Sequence, residues 1–274
     1  MQNILIFGEN SYIGNSFEAF ARDKFSIKKI SSRGNAWQSA DFSGFDCALY
    51  CAGTVHMKNA DSGAYFAVNC DLAIETAEKA KAEGVKHFIY LSSASVYGKY
   101  SGMIDCGTAP NPVEPYGQSK LKAEQELNKL KSDAFIVTII RPPMVYGAGC
   151  KGNFQSLLKL ARLCPVFPDI NNKRSMIYIE NLCCFFVWAV ENRQEGIFFP
   201  QNAEYINTTE LYKAIRQHLN KKTRATKFFN PLIDLFSRRV PALGKLFGDF
   251  AYAGSECENI GCVGFEESVG RSIF

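Results

Sequence analysis

Residues 3–14 have the sequence NILIFGENSYIG, and this stretch decides the fold. The apolar run 3–8 predicts a short buried strand, and the pattern that continues over 11–24 predicts a helix. Gly8 directly follows the strand and permits a tight turn, while Gly14 allows the helix to pack closely on the strand. A strand, a glycine turn and a helix in this order indicate the first unit of a parallel α/β sheet.

The same alternation continues over the first half of the chain. Further strands are predicted at 25–31, 45–53, 86–93 and 134–143, with helices at 62–83 and 115–131. This order predicts a doubly wound parallel sheet, in which ligands bind beyond the carboxyl ends of the strands. The second half is less regular, with helical patterns at 153–163, 180–192 and 208–220 and a basic amphipathic segment at 221–248.

Length and composition limit the classes of protein. The chain has 274 residues, of which 47% are hydrophobic and 21% are charged, enough for one large α/β domain with a small extension. The formal net charge of +4 is too small to imply nucleic-acid binding. We expect no signal peptide, and no run approaches the ~18 apolar residues that a membrane span needs.

The cysteines are expected to be buried free thiols in a reducing cytoplasm. Ten are present, mostly inside apolar runs, and none forms a C-x-x-C pair. Because only three histidines accompany them, the sequence predicts no metal site.

The stretch PYGQSK (115–120) places Tyr116 and Lys120 four positions apart, so that they share one helix face. This spacing is common by chance, and a surface pair is the alternative interpretation. A phenol has a pKa of about 10, and lowering it to about 7 takes roughly 4 kcal/mol, which a nearby ammonium helps to supply. Ser93, at the end of a neighbouring predicted strand, is placed to hold a substrate oxygen while Tyr116 moves a proton.

The residues after the first two strands suit a dinucleotide. The helix after Gly8 offers free N–H groups to a pyrophosphate, although Ser11 stands where a third glycine is common and simple packing is the alternative. After the second strand, Ser31, Ser32 and Arg33 supply hydroxyls and a guanidinium but no carboxylate. This composition suits a 2′-phosphate and favours NADP(H) over NAD(H), with an exposed loop arginine as the alternative.

Eight motifs, in order, resemble those of the extended short-chain dehydrogenase/reductases, the sugar-nucleotide epimerase/dehydratase group. They are GENSYIG (8–14), ADF (40–42), CAG (51–53), VN (68–69), LSSASVYG (91–98), PYGQSK (115–120), RPPMVYG (141–147) and NKRSMIYIENL (172–182). The run VHM…RPPMVYG…KGNF is further similar to bacterial reductases of UDP-linked 4-keto-6-deoxy amino sugars and to UDP-glucose 4-epimerases.

This resemblance implies the roles of individual residues. Catalytic roles fall on Ser93, Tyr116 and Lys120. With the Ser32–Arg33 pair, the cofactor-binding positions are Gly8, Asn10, Ser11, Tyr12, Ile13, Gly14, Asp41, Phe42, Cys51, Ala52, Gly53, Asn69, Tyr116, Lys120, Pro142 and Val145. The substrate-binding positions are Ser93, Ser95, Asn153, Phe167 and Arg174, of which Arg174 suits a diphosphate, with a surface salt bridge as the alternative.

The resemblance also implies the organisation of the chain. A Rossmann-type NAD(P)-binding domain is expected over 1–150, with core elements returning around 175–205. A small C-terminal substrate-binding lobe is expected over 151–274. A nucleotide sugar is the implied substrate, and a homodimer is the implied assembly.

Some positions depart from the family pattern. Met144 stands where many epimerases carry an asparagine, and Ala94 and Ser95 stand where dehydratases carry an acid, which argues against 4,6-dehydration. A second phosphate-binding arginine is missing from the tail, and Arg238 or Arg239 are its candidate substitutes.

Three functions are compatible with these residues. A 4-ketoreductase of a UDP-sugar that uses NADPH is favoured, a 4-epimerase with tightly bound NAD is the alternative, and a non-catalytic cofactor-sensing or scaffold protein is an alternative of another class. For the segment 221–248 we expect a helix packed on the substrate lobe, with peripheral membrane contact as the weaker alternative.

Overall fold

The computed structural model describes residues 1–54, 62–98, 102–105, 107–237, 244, 246–254 and 263–273. The chain forms two compact units. The first contains the described residues of Met1–Gly98, Ala109–Pro142 and Leu182–Pro200, and the second contains those of 99–108, 143–181 and 201–274. Arg238 and Arg239 lie outside the described residues.

The elements are numbered in chain order. The strands are β1 Gln2–Phe7, β2 Phe25–Ile30, β3 Cys47–Tyr50, β4 His87–Leu91, β5 Met103–Ile104, β6 Ile136–Ile140, β7 Met144–Tyr146, β8 Val166–Pro168, β9 Met176–Tyr178, β10 Gly196–Phe198, β11 Arg224–Thr226 and β12 Ala251–Tyr252. The helices are α1 Tyr12–Ala21, α2 Ala36–Ser39, α3 Ser62–Phe66, α4 Leu72–Ala82, α5 Pro115–Lys129, α6 Asn153–Leu163, α7 Ile179–Glu191, α8 Thr208–His218, α9 Asn230–Ser237 and α10 Phe265–Ile273. A π-helical turn, Ala67–Asp71, joins α3 to α4.

The first unit is built on a six-stranded sheet in the order β10-β6-β4-β3-β1-β2. Every pairing in it is parallel. This confirms the prediction of a doubly wound parallel sheet. Strands β3 and β4 are buried along their whole length, as expected where both faces of a parallel sheet are covered. β2, β3, β4 and β6 are shorter than the apolar runs that predicted them, whereas β1 has the predicted length of 6 residues and is shifted by one position.

Aromatic side chains fill much of the core of this sheet. Phe7 meets Phe42 edge to face at 5.3 Å between ring centroids. Tyr50 on β3 stacks on Tyr90 on β4 at 5.9 Å, and both side chains are fully buried. The Tyr50 and Tyr90 hydroxyls lie inside this core and need hydrogen-bond partners, which backbone carbonyls near the candidate active site supply.

The second unit holds three two-stranded parallel pairs, β7-β9, β8-β11 and β5-β12. The segment 221–248 begins with β11, which pairs with β8, and continues through a 3₁₀ turn, Lys227–Phe229, into α9. Of this segment, residues 238–243 and 245 lie outside the described residues. The expectation of a helix is therefore met over Asn230–Ser237, while the start of the segment is a strand edge.

For the part of the chain that the structure describes, the cysteines are free thiols and most of them are buried, as predicted. Seven free cysteines are found there. Cys47, Cys51, Cys70, Cys150 and Cys183 are buried, and the other two are partly buried. Within the same residues, no helix has the length and apolar character to cross a membrane.

Candidate active site

Gly8 brings the end of β1 against the end of β3. It has a φ of +108°, and a Cβ there would lie 2.8 Å from the backbone nitrogen of Ala52. Ser11 caps α1, since its Oγ accepts a hydrogen bond from the Gly14 nitrogen at 3.3 Å. A Cβ on Gly14 would come within 3.1 Å of Ile6, which confirms the predicted close packing of the helix on the strand. The turn thus presents the N-terminus of α1 at the carboxyl edge of the sheet, a suitable place for a diphosphate.

The other predicted cofactor positions of this edge differ in exposure. Asn10 is exposed, whereas Tyr12 and Ile13 at the start of α1 are partly buried. After β2, Ser32 is partly buried and Arg33 is exposed, and the backbone nitrogen of Arg33 donates to the Ser31 hydroxyl at 3.2 Å. The Arg33 guanidinium is therefore accessible to an anionic group.

Asp41 and Phe42 face different surroundings. Asp41 is exposed, and hydrogen bonds from Ser43 lower the pKa of its carboxyl. The Phe42 ring is fully buried in the core, and its backbone nitrogen donates to the Glu83 carboxylate at 2.6 Å. Of the pair, Asp41 is the one whose side chain is available to a ligand.

Hydrogen bonds of Asn69 connect the loop after β3 to helix α5. Its side-chain oxygen accepts from the Thr54 nitrogen at 2.9 Å, and its amide group donates to the Thr54 carbonyl at 3.2 Å. The same amide group donates to the Ser119 hydroxyl at 3.1 Å, and that hydroxyl donates to the Tyr116 carbonyl at 2.9 Å. Asn69 is fully buried, so this chain of hydrogen bonds fixes the first turn of α5 against the loop after Cys51 and Ala52.

The π-helical turn that carries Asn69 is held by the two core tyrosines. A π turn leaves carbonyl groups outside the regular helical ladder, and such turns are frequent at functional sites. Here the Tyr50 hydroxyl donates to the Val68 carbonyl at 2.6 Å, and the Tyr90 hydroxyl donates to the Asn69 carbonyl at 2.5 Å. The sheet core therefore sets the position of Asn69 directly.

Ser93 lies close enough to the Tyr116 phenol to influence its pKa. Ser93 ends the segment after β4, and its Oγ accepts from the Ser95 nitrogen at 3.1 Å and contacts the Ser95 hydroxyl at 3.2 Å. Burial raises the pKa of Tyr116, while its hydrogen bond with Ser93 lowers it. The Tyr116 ring also meets the Tyr65 ring edge to face at 6.4 Å. The two side chains that the sequence assigned to proton transfer are thus adjacent.

Lys120 is buried, with only 3% of its surface exposed. Its ammonium donates to the Leu91 carbonyl at 2.8 Å and lies 4.6 Å from the centre of the Tyr90 ring. Burial lowers the pKa of Lys120 to about 7, although Cys51 and Glu124 act in the opposite direction. A Cβ on Gly53 would lie 3.6 Å from the ammonium nitrogen, at ordinary van der Waals distance. We refer to the space that the missing side chain leaves beside Lys120 as the Gly53 cradle.

A buried ion pair that the sequence reasoning missed lies one turn further along α5. The Arg141 guanidinium donates to the Glu124 carboxylate, with Nε–Oε1 at 3.1 Å and Nη2–Oε2 at 2.5 Å. The Ser92 hydroxyl also donates to Glu124, and Arg141 donates to the Tyr97 hydroxyl at 2.7 Å. Two features of the sequence point to this pair: Glu124 follows Lys120 by one helical turn, and Arg141 immediately precedes Pro142 near the end of a predicted strand. In the structure, the Pro142 carbonyl accepts a hydrogen bond from the Ala94 nitrogen at 3.0 Å.

In the second unit, three of the singled-out residues line one small pocket. They are Met144 on β7, Asn153 at the start of α6 and Arg174, and Met176 and Thr208 complete its wall. The Arg174 guanidinium donates to the Gly248 carbonyl at 2.7 Å, and burial lowers the pKa of this side chain. Arg174 is partly buried and bonded to backbone, and the nearby Asp249 carboxylate opposes the effect of burial on its pKa.

Two further predicted positions, Val145 and Phe167, also lie in the second unit. Val145 is partly buried on β7, beside Met144. The Phe167 ring is buried and stacks on Tyr212 at 3.9 Å between centroids, so it helps to build the unit's own core. Any contact of Phe167 with a ligand therefore falls to its backbone.

The sequence profile of the NAD dependent epimerase/dehydratase family matches residues 5–198. The chain belongs to this family. A relative in the family, the UDP-glucose 4-epimerase of Vibrio cholerae, is 32% identical over 189 residues, which is 64% of this chain and 57% of the relative. The N-acetyl-alpha-D-glucosaminyl-diphospho-ditrans,octacis-undecaprenol 4-epimerase of Escherichia coli O157:H7 is 26% identical over 270 residues, 90% of this chain and 81% of the relative.

Solved structures with this epimerase/dehydratase fold superpose over nearly the whole chain. The UDP-glucuronic acid 4-epimerase of Bacillus cereus, in complex with NAD, has a TM-score of 0.76 at 17% identity and covers 99% of this chain and 97% of its own. The dTDP-4-dehydrorhamnose reductase of Bacillus anthracis, in complex with NADP, has a TM-score of 0.72 at 16% identity, with 99% of each chain covered. At these identities the likeness concerns the fold, which is Rossmann-type.

Proposed function

We propose that the protein transfers hydride between a nicotinamide cofactor and C4 of a sugar carried on a nucleoside diphosphate, and that it works as a 4-ketoreductase. The observation that carries the proposal is the assembly of Ser93, Tyr116 and Lys120 at the carboxyl edge of the parallel sheet. Ser93 precedes Tyr116 by 23 residues in the sequence, yet it lies near enough to influence the pKa of the Tyr116 phenol, and Lys120 is buried one helical turn beyond Tyr116.

Each side chain has a defined part in the reduction. When bound, the nicotinamide supplies the hydride, and Lys120 and the Gly53 cradle hold its ribose. Ser93 donates a hydrogen bond to the C4 carbonyl oxygen of the substrate and fixes its position. As C4 gains the hydride, Tyr116 gives its phenolic proton to that oxygen, which becomes the hydroxyl of the product. The charge of Lys120 stabilises the phenolate that remains.

The pKa of Tyr116 supports the reductive direction. Because burial raises it, the phenol stays protonated at neutral pH and is ready to donate. If the reaction opened with oxidation at C4, Tyr116 would have to be a phenolate that takes the hydroxyl proton while the hydride goes to an oxidised nicotinamide, and this role needs the opposite shift in pKa.

The cofactor preference that we propose is NADP(H). Arg33 is exposed after β2, beside the partly buried Ser32, and no carboxylate stands in this loop to repel a 2′-phosphate. Proteins of this fold that bind NAD and others that bind NADP are both known among the structural neighbours, so the loop residues carry the preference.

The proposed substrate site lies in the second unit. Arg174 and Asn153 share a pocket with Met144, whose apolar side chain replaces a polar contact to the sugar in epimerases of the resembled group. A planar guanidinium suits a diphosphate, and a UDP-sugar is the substrate class that we favour. The two relatives act on a UDP-sugar and on a sugar diphosphate linked to undecaprenol, so a diphosphate is common to both substrates.

A 4-epimerase with tightly bound NAD is the second candidate, and the two relatives support it because both are named 4-epimerases. The same three residues serve this reaction if Tyr116 first takes a proton from the C4 hydroxyl and later returns it. The two candidates differ in net redox change: the reductase reduces its substrate and consumes the nicotinamide hydride, whereas the epimerase returns the hydride and leaves substrate and cofactor unchanged in oxidation state.

The deciding experiment adds a UDP-linked 4-keto-6-deoxy amino sugar and NADPH to the purified protein and follows the loss of nicotinamide absorbance. A parallel reaction uses NADH, and the Tyr116→Phe variant is the control for background reduction. The reductase proposal expects turnover with NADPH, slower turnover with NADH and almost none with the variant.

Epimerisation is tested in the same preparation without added cofactor. UDP-glucose and UDP-N-acetylglucosamine are incubated with the protein, and the products are separated by chromatography. Conversion to the C4 epimer, together with NAD released on denaturation and no net redox change, would reject the reductase in favour of the epimerase.

A further inference from the structure

Two segments of the second unit form a surface that mixes exposed apolar and basic side chains. They are 159–168, at the end of α6 and in β8, and 221–236, from β11 into α9. The exposed apolar residues are Leu160, Leu163, Val166, Phe228, Phe229, Leu232, Leu235 and Phe236. The exposed basic residues are Lys159, Arg162, Lys221, Lys222, Arg224 and Lys227. We refer to these fourteen residues as the apolar–basic surface.

Direct contacts hold the two segments side by side. Strand β11 pairs with β8 so that Arg224 stands opposite Val166, and the Arg224 nitrogen donates to the Pro165 carbonyl at 2.8 Å. The Lys221 ammonium donates to the Arg162 carbonyl at 2.5 Å, at the end of α6. The apolar and basic side chains are therefore neighbours in space.

The apolar side chains are unusually exposed for their size. Leu163 is 82% exposed, Phe228 is 78% exposed and Leu235 is 59% exposed. Ile233 is buried and anchors α9, and the Asn230 side chain donates to the Asp169 carbonyl at 2.8 Å, so the helix is attached while its other face stays open. Because burying one such side chain is worth about 1.5–3 kcal/mol, a cluster of this kind marks a binding surface.

The charge of the apolar–basic surface indicates the class of partner that it binds. Residues 159–168 and 221–236 contain six basic side chains and one acidic one, Asp234, and Asp169 directly follows the first segment. The rest of the chain carries one more acidic than basic side chain, so its net charge is slightly negative. Positive charge is thus concentrated on the face that also exposes phenylalanine and leucine.

An anionic lipid surface fits this composition better than a protein partner. Lysine is depleted in protein–protein interfaces, whereas phenylalanine and leucine flanked by lysine and arginine are typical of helices that lie in the headgroup region of a bilayer. A symmetric contact with a second copy would place the six positive charges of one copy against those of the other, which is unfavourable. We propose that the apolar–basic surface docks the protein on an anionic lipid bilayer.

The test is co-sedimentation of the full chain with vesicles of phosphatidylcholine alone and of phosphatidylcholine with phosphatidylglycerol, at low and at high salt. We expect the protein to pellet with the anionic vesicles at low salt and to return to the supernatant as salt is raised. Neutral vesicles should retain much less protein, because each basic side chain near an anionic surface contributes about fivefold to the affinity.

Two double variants separate the contributions of the basic and of the apolar side chains to vesicle binding. Lys222→Gln with Arg224→Gln should weaken binding to anionic vesicles about 30-fold, and Phe228→Ser with Leu232→Ser should weaken it by tenfold or more. The matched control is Val113→Ser with Lys151→Gln, which changes one exposed apolar and one exposed basic residue elsewhere and should bind like the unmodified protein. Thermal unfolding checks that all variants fold.

Protein that stays in the supernatant with anionic vesicles, or double variants that bind as well as the control, would overturn the proposal. A concentration-dependent dimer that is lost in Phe228→Ser with Leu232→Ser would also overturn it and assign the surface to a second copy. The reductase assay with a soluble substrate should be the same for all these variants, so a failure here is distinct from a failure of the proposed function.

Discussion

The ammonium of Lys120 lies 4.6 Å from the centre of the Tyr90 ring, inside the core of the parallel sheet. A cation over an aromatic face gains about 2 kcal/mol or more when both are removed from water. This attraction opposes the desolvation that lowers the pKa of Lys120 to about 7. Tyr90 therefore stabilises the charged form of the residue that we assign to phenolate stabilisation, while its hydroxyl holds the Asn69 carbonyl.

Replacing Tyr90 by leucine should shift the pH dependence of turnover. Loss of the ring removes the attraction to the ammonium, so the pKa of Lys120 falls further and the charged form is lost at lower pH. With about 2 kcal/mol lost, the alkaline limb of kcat should move down by roughly one pH unit or more. The measurement is kcat across the neutral and alkaline range.

Tyr90→Phe is the matched control for that shift. It keeps the ring under Lys120 and removes only the hydroxyl, which leaves the buried Asn69 carbonyl without its donor. We expect an unchanged alkaline limb with a loss of about 1–3 kcal/mol in the free energy of unfolding. An alkaline limb that stays in place in Tyr90→Leu would show that the ring has no influence on Lys120.

Tyr116→Phe should reduce kcat by about 10²–10⁴-fold, because the phenolic proton is no longer available to the substrate oxygen. Cofactor affinity, followed by fluorescence titration, should be nearly unchanged, since the ring remains. Tyr65→Phe is the control. The Tyr65 ring meets that of Tyr116 at 6.4 Å between centroids, but Tyr65 has no proposed part in proton transfer. A Tyr116→Phe protein with the turnover of the Tyr65→Phe protein would remove Tyr116 from the mechanism.

Local patterns in the sequence predict the sheet and the turn after β1 because they depend on neighbouring residues. Alternating apolar runs and helices lead to the parallel sheet, and Gly8 and Gly14 lead to the tight approach of α1. The position of Asn69 depends instead on hydrogen bonds from Tyr50 and Tyr90, which lie 18 and 21 residues from the Val68 and Asn69 carbonyls that they bind. No periodicity in the sequence indicates that a core tyrosine hydroxyl meets a π-helical turn.

The second unit was predicted less well for a related reason. Its strands have two or three residues, too short for any alternation to emerge, and each is paired with a partner distant in sequence. The amphipathic pattern of 221–248 indicated a helix, but the strand β11 at its start is set by its pairing with β8. The exposure of Phe228 and Leu235 likewise depends on which faces remain uncovered, and the sequence alone does not contain that information.

Breaking the buried pair of Glu124 and Arg141 should destabilise the first unit strongly. The Arg141 side chain is 6% exposed and that of Glu124 is 2% exposed, so Arg141→Met leaves a carboxylate inside the protein without its partner. We expect a loss of about 3–5 kcal/mol in the free energy of unfolding, measured by denaturant titration. Combining Arg141→Met with Glu124→Leu should recover part of it, since no charge then remains buried.

The exposed pair of Lys122 and Glu126 on the same helix is the control for this effect. Its atoms are 2.7 Å apart, but the lysine side chain is 53% exposed. Lys122→Met should therefore cost less than about 1 kcal/mol. Similar losses for Arg141→Met and Lys122→Met would contradict the role assigned to the buried pair.

His87 should make the stability of the protein depend on pH. Its Nε2 contacts the Thr138 hydroxyl at 2.6 Å, and that hydroxyl donates to the Gln194 carbonyl, so the imidazole carries its proton on Nε2. Nδ1 is buried and has no hydrogen-bond partner among the described residues. Burial, with a smaller effect of Arg193, lowers the pKa of His87 from 6.5 to about 4. Protonation would place an N–H group where nothing accepts it.

The sign of the effect follows from this lowered pKa. Between pH 6.5 and about 4 the unfolded chain binds a proton at His87 that the folded protein does not, so stability is lost as the pH falls through this window. The slope approaches about 1.4 kcal/mol per pH unit, and above pH 6.5 the residue has no such effect. His87→Gln cannot titrate, and its free energy of unfolding should change less steeply over the same window. Equal slopes in His87→Gln and in the unmodified protein would show that His87 is protonated as easily in the folded state as in the unfolded one.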